Sequence, residues 1–151
     1  MHLTSKSQYG MLALAALARV WEGPATPYLQ LSELARRCGA SPKYLEQVLL
    51  PLTRTHVLET KRGSGGGYRL ATPPGNLTLA EILVETDGKL MPIPRWAQER
   101  AGDGGETDLR EFARVLQQAA QCLEQILSAT TLERIVAPHA TTSASGSGET
   151  A

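Results

Sequence analysis

The feature that most constrains this chain is the run Arg62-Gly63-Ser64-Gly65-Gly66-Gly67-Tyr68-Arg69-Leu70. A stretch this rich in glycine cannot sustain a helix. Flanked by apolar residues, it marks the tip of a hairpin whose two short strands are expected over residues 57–61 and 68–71. Immediately upstream, residues 31–37 and the segment opening at Ser41-Pro42 read as two short helices separated only by Cys38-Gly39-Ala40. Two helices joined by a short glycine-containing turn form a helix-turn-helix. A hairpin directly after the second helix completes the outline of a winged helix. A phosphate-binding loop is the competing reading of the glycines. It fails because no Gly-Lys-Ser/Thr follows and the tip leads into a strand.

The rest of the pattern fits that outline. Residues 6–21 carry Tyr9, Leu12, Ala13, Ala16, Leu17 and Val20 at helical spacing, and Glu22-Gly23-Pro24 ends the helix. Leu31, Leu34 and Ala35 supply the buried face of the second helix. In the third, Ser41 caps, Pro42 occupies the first turn, and Leu45, Val48, Leu49 and Leu52 form the stripe. Thr72-Pro73-Pro74-Gly75 closes the hairpin. Thr78-Leu79-Ala80-Glu81 is a capping box that opens a fourth helix ending before Asp87-Gly88. Residues 87–106, with Pro92, Pro94, Gly102, Gly104 and Gly105, are expected to form a long loop. A long helix follows over residues 107–128. Its residues Leu109, Phe112, Leu116, Ala119 or Ala120, Leu123 and Ile126 recur with a period near 3.5, which suits pairing with a symmetry mate. Thr130-Thr131-Leu132-Glu133 starts a last short helix. The fold expected is mainly α with a small β-hairpin wing: a winged helix-turn-helix domain over residues 1–75, an effector loop and dimerisation helices over 76–137, and a disordered Thr, Ser, Ala and Gly tail over 138–151.

Charge separates along the same line. The net charge is zero, yet residues 1–70 carry nine basic side chains against four acidic, and the remainder carries six against eleven. A basic half joined to an acidic half fits a module that meets phosphates joined to one that does not. No apolar run is long enough to span a bilayer, and residues 12–20 are interrupted by Arg19. No signal-peptide architecture precedes them, so a cytoplasmic protein is expected. Cys38 and Cys122 are too far apart in sequence for a zinc motif or a disulfide framework. His2, His56 and His139 have no spaced nucleophile or carboxylate partner, so no enzyme site is expected.

The residues expected to meet double-stranded DNA follow from this outline. The exposed positions at the start of the third helix are Ser41, Lys43, Tyr44, Glu46 and Gln47. Glu46 can accept from a cytosine amino group and Gln47 can pair with adenine, while Ser41 and Tyr44 can hold phosphates. Arg62 at the wing tip, with Gly63, Ser64 and Gly65 allowing close backbone approach, can enter a narrow minor groove. Lys6 and Arg54 add phosphate contacts that set affinity and salt dependence.

These blocks resemble the Rrf-type winged-helix regulators, the family of IscR, NsrR and CymR. Leu3-Thr4-Ser5-Lys6 before Tyr9 is similar to the family's opening. Ser41-Pro42-Lys43-Tyr44-Leu45-Glu46-Gln47 resembles its recognition helix, residues 62–68 its wing, and Thr78-Leu79-Ala80-Glu81-Ile82 the following helix. The resemblance covers about residues 1–137. It implies a homodimer on a partly palindromic operator, usually acting as a repressor, with Thr4 and Ser5 joining the DNA contacts. It also implies that the long helix pairs across the dimer and cradles the partner's DNA-binding domain.

The chain departs from the family at the sensor. Many members hold an iron–sulfur cluster through three cysteines after the fourth helix. Residues 87–106 contain none here, and the helix-one position that supplies a carboxylate in some members is Gln8. Thiolates hold such clusters, so no cofactor is expected, and a cluster with unusual ligands such as Cys122 is the alternative. Three other signal routes stand open. Cys38, in the turn before the recognition helix, reads first as a small buried residue and alternatively as a redox switch whose pKa Arg36, Arg37 and the helix start would lower. Cys122 on the long helix reads first as core packing and alternatively could meet its symmetry mate in a disulfide. Met91 and Trp96 could line a pocket for a small-molecule effector. A second functional reading is an interaction module that signals through a complex with a metabolic enzyme.

Overall fold

Thr4 starts the first helix. Its hydroxyl accepts from the Lys6 amide at 3.1 Å, and α1 then runs over Ser5–Arg19. In this computed structural model, residues 3–100 and 107–138 are described. The expectations for the glycines at 102–105, for His2 and His139, and for the tail over 139–151 lie outside the described residues. After α1 come α2 (Leu31–Cys38), α3 (Pro42–Arg54), β1 (Leu58–Lys61), β2 (Gly67–Leu70), a single 3-10 turn (Pro74–Asn76), α4 (Leu79–Asp87), α5 (Arg95–Arg100), α6 (Thr107–Ser128) and α7 (Leu132–Val136).

α1 is the hub. The expected one-sided stripe is replaced by burial around the whole circumference from Ala13 to Ala18, while Leu12 points outward. Four of those six residues are alanine, small enough to let α2, α3, α4 and α7 approach from all sides. Leu14, Leu34, Leu45, Leu49, Leu52, Leu58, Ile82 and Leu132 close the core at 0–1% exposure. Each buried leucine or isoleucine contributes roughly 1.5–3 kcal/mol by removal from water. The core therefore takes residues from both sides of the boundary expected at 75 and 76. The Leu132 amide donates to the Leu77 carbonyl at 2.8 Å, and the Leu79 amide to the Thr130 carbonyl at 2.8 Å, stitching the C-terminal segment to the start of α4.

The turn between α2 and α3 is set by Gly39, which adopts the left-handed conformation at φ 67° and closes α2. Ser41 caps α3 by accepting from the Tyr44 amide at 3.3 Å, with Pro42 in the first turn. The strands pair antiparallel with Leu58 opposite Leu70, Glu59 opposite Arg69, Thr60 opposite Tyr68 and Lys61 opposite Gly67. Thr78 and Glu81 form the reciprocal capping box that opens α4.

The loop expected over 87–106 contains a helix. α5 begins right after Pro94, whose carbonyl accepts from the Ala97 and Gln98 amides at 2.9 and 3.2 Å. Proline at a helix start loses no hydrogen bond, because the first amides have no helical acceptor. α5 packs on α6 by stacking Trp96 on Phe112, centroids 6.0 Å apart. Among the described residues no helix is long and apolar enough to cross a membrane.

Candidate nucleic-acid interface

α3 turns one side to the core through Leu45, Val48, Leu49 and Leu52. The opposite ridge carries Lys43, Glu46, Gln47, Leu50 and Arg54, all exposed. The wing stands beside this ridge. Between them runs a groove of about 450 Å³, walled by Glu46, Leu50 and Thr53 from α3 and by Thr60, Arg62 and Tyr68 from the wing. The structure thus brings Glu46 and Arg62 to one groove, with Lys43, Gln47 and Arg54 on the adjoining ridge. Burial first, and then the negative charge of Glu46, pushes the Tyr68 hydroxyl above its ordinary pKa, which places Glu46 electrostatically against the wing.

The wing is held by a third segment. The Leu29 amide donates to the Tyr68 carbonyl at 2.8 Å and the Tyr68 amide returns to the Leu29 carbonyl at 2.9 Å. Gly67 makes this approach feasible: a Cβ there would sit 2.1 Å from the Leu29 oxygen, and its φ is +141°. Arg69 clamps the same junction. Its Nε donates to Glu59 Oε2 at 2.8 Å, its Nη1 to the Pro24 carbonyl at 2.8 Å, and its guanidinium lies 4.6 Å from the centre of the Tyr28 ring. This clamp was not anticipated. Its only sequence signal is the register that sets Glu59 opposite Arg69.

Ion pairing sorts the basic residues. Glu33 binds Arg36 and Arg37, each at 2.8 Å, and those guanidinium hydrogen bonds hold its carboxyl down at about 2. Arg69 is taken by Glu59. Lys6, Lys43, Arg54, Lys61 and Arg62 form no ion pair among the described residues and are exposed. The cations left free in this half of the chain thus include those at the start of α1, along the α3 ridge and at the wing. Unpaired cations are what phosphates recruit.

Several residues expected at the DNA also make contacts within the chain. Thr4 donates its amide to Asp87 Oδ2 at 3.1 Å and its hydroxyl to Asp87 Oδ1, so its polar groups tie α1 to the end of α4 rather than facing outward; Ser5 and Lys6 remain exposed. Ser41 uses its hydroxyl as the cap. Tyr44 packs edge-on against Tyr9 with centroids 5.5 Å apart. Gly63, Ser64 and Gly65 form the exposed tip, closed by the Gly66 amide donating to the Gly63 carbonyl at 3.0 Å.

Cys38 is the small buried residue expected first, and not the alternative reactive thiol. It is buried at 8% exposure in the core cluster, and burial pushes its pKa up. Arg36 and Arg37, which were expected to lower it, are occupied by Glu33. Cys122 is exposed on α6 rather than packed in the core as expected. The two thiols thus lie in different settings, and among the described residues no three His, Cys, Asp or Glu side chains gather at a metal-binding distance. The donor set present does not fit a thiolate-held cluster. Met91 lines a half-open cavity of about 220 Å³ with Val84, Lys89, Leu90, Ala120 and Glu124. Trp96 does not line it and stacks on Phe112 instead.

α6 carries two apolar faces where one was expected. Leu109, Leu116, Ala120, Leu123 and Leu127 fall on the side of the fully buried Ala113 and are half-buried within the chain. The outward stripe is Phe112, Val115, Ala119, Cys122 and Ile126, spaced three and four residues apart. Phe112, Val115 and Ile126 are 50–60% exposed. Of the residues expected to face a symmetry mate, Phe112, Ala119 and Ile126 turn outward, whereas Leu109, Leu116 and Leu123 turn inward.

Comparison with known proteins agrees with this architecture. The family model of Rrf2, iron-dependent transcriptional regulators, matches residues 3–138. An rrf2-like HTH-type regulator of Rhodobacter capsulatus is 33% identical over 61% of this chain, and the match spans 61% of that relative's length. The HTH-type regulator IscR of Cereibacter sphaeroides is 37% identical over 70% of this chain and 67% of its own. Among solved structures, CymR, described as the global cysteine regulator of B. subtilis, superposes with a TM-score of 0.71 over 90% of this chain and 96% of its own, at 24% identity. These relatives are named as transcription regulators rather than enzymes, and the fold is theirs. With the family model spanning nearly all the described residues, this chain belongs to the Rrf2 family of winged-helix, DNA-binding transcription regulators.

Proposed function

We propose that the chain is a homodimeric, sequence-specific repressor that senses its signal without the family's cysteine-held cluster. The observation that carries the reading is the shared groove: the outward ridge of α3 and Arg62 of the wing flank one channel. In this reading α3 lies in the major groove, with Glu46 accepting from cytosine and Gln47 pairing with adenine. Arg62 enters the neighbouring minor groove, and Lys6, Lys43 and Arg54 hold phosphates. Dimerisation is supported by the outward α6 stripe, whose three-and-four spacing is that of a helix seam. Repression is what the family resemblance implies.

The signal enters through the segment after α4. Asp87, the last residue of α4, bonds to Thr4, two residues before Lys6. A ligand in the cavity beside Lys89 and Met91 would shift that segment, and the Asp87–Thr4 link would carry the shift to the start of α1. Fluorescence-anisotropy titrations on an operator selected from random duplexes test the interface. Arg62→Ala is expected to weaken binding to all sequences. Glu46→Ala is expected to flatten discrimination at one base pair by roughly 1–3 kcal/mol. Titrations unchanged in both variants would remove these residues from the interface.

A further inference from the structure

Leu50 is the one apolar side chain on the outward ridge of α3, and it is 48% exposed. At about 100° per residue it points within roughly 30° of the direction opposite Leu45, Val48, Leu49 and Leu52. Its ridge neighbours are Lys43, Gln47 and Arg54, at i−7, i−3 and i+4. A single exposed leucine is ordinary on a protein surface. This one stands mid-ridge between polar side chains and forms part of the wall of the groove that Glu46 and Arg62 share. Whatever enters that groove meets a methyl-bearing side chain there.

We propose that Leu50 is a specificity-determining residue that packs against the C5-methyl group of a thymine. The major groove offers one apolar group on its base edges, the thymine methyl, and the amides and charges beside Leu50 gain little from touching it. Leu50 follows Glu46 by four residues, about 6 Å along the helix, so the thymine it reads lies within about two base-pair steps of the cytosine read by Glu46. Leu50 thereby adds a preference for thymine over cytosine that no hydrogen bond from Lys43 or Gln47 supplies. This inference rests on α3 lying in the major groove.

The test uses the full chain and a duplex enriched from a random pool. Each thymine is replaced in turn by deoxyuridine, which removes only the methyl, and binding is titrated for the wild type, Leu50→Ala and Arg54→Ala. At one position per half-site, uracil is expected to weaken the wild type about fourfold, the size of one buried methyl. Leu50→Ala binds thymine and uracil duplexes equally at that position. Arg54→Ala binds both more weakly and keeps the fourfold ratio. Equal binding of thymine and uracil by the wild type at every position, or a ratio that survives in Leu50→Ala, overturns the role of Leu50 and leaves the interface standing. Failure of any sequence to enrich overturns the interface and, with it, this inference.

Discussion

Gly67→Ala asks whether the wing is built on the connector before α2. An alanine Cβ would lie 2.1 Å from the Leu29 carbonyl oxygen, where such contacts essentially never fall below 3.0 Å. The strands must part by about 1 Å, which takes the Leu29–Tyr68 bonds of 2.8 and 2.9 Å beyond hydrogen-bond range. Two lost backbone hydrogen bonds cost roughly 1–3 kcal/mol together. Holding a non-glycine residue at φ +141° costs roughly another 1 kcal/mol. The sum, roughly 3 kcal/mol, is a large share of the 5–15 kcal/mol typical of a domain. With a urea dependence of roughly 2 kcal/mol per molar, the unfolding midpoint should fall by about 1.5 M. Operator affinity should also fall in the fully folded variant, because Arg62 is displaced while α3 is untouched. A midpoint within about 0.3 M of wild type, with normal DNA binding, would refute the close approach and the reasoning built on it.

Three further outcomes follow from the same geometry. Val115→Glu, in the outward α6 stripe at 50% exposure, should yield monomers by sedimentation with an unchanged circular dichroism spectrum; an intact dimer would place the interface elsewhere. Cys38, buried and with its pKa raised by that burial, should resist alkylation at pH 8 until the protein is unfolded, as mapped by mass spectrometry; rapid labelling in the native state would contradict its place in the core. The Glu33 carboxyl is held at about 2 by Arg36 and Arg37, below its ordinary 4.5. In that window the unfolded chain binds the extra proton, so the contribution is present above about pH 4.5 and is lost as pH falls toward 2. The wild type should therefore lose more stability than Glu33→Gln across that range, and superimposable acid curves would show that the pair contributes nothing.

The helix-turn-helix and the wing were legible because their signals are local. Ser41-Pro42, the Thr78–Glu81 box and the glycine-rich tip each dictate backbone geometry within a few residues. What escaped was set by distant partners. Asp87 looked like the end of a helix, yet it holds Thr4 from 83 residues away. Leu29 carries no strand signal of its own, and the bare backbone of Gly67 lets it become the wing's third segment. α5 was hidden because Pro92 and Pro94 read as loop, although proline is well tolerated just before a first turn. On α6, one periodic list of apolar residues stood for two faces, because Leu109, Leu116 and Leu123 are half-buried on the side of Ala113 while Phe112, stacked on Trp96, and Ile126 keep more than half their surface exposed. Leu50 went unnoticed for a related reason: a leucine on an amphipathic helix reads as core until the wheel is fixed by its neighbours.

The sequence after α4 departs from the cysteine pattern that the family resemblance implies. A cluster needs thiolates that converge, and here one thiol is in the core and the other is exposed on α6. In the proposed reading the signal runs through the cavity beside Met91 and the Asp87–Thr4 link and uses neither thiol.

The central claim is that two copies present α3 and the wing to one duplex. It is tested most directly by enriching bound sequences from random DNA and measuring how many chains the winning duplex carries by sedimentation equilibrium. The account predicts an inverted repeat holding two chains, with both the repeat preference and the second chain lost in Val115→Glu. A winning sequence without a repeat, occupied by a single chain, would contradict it.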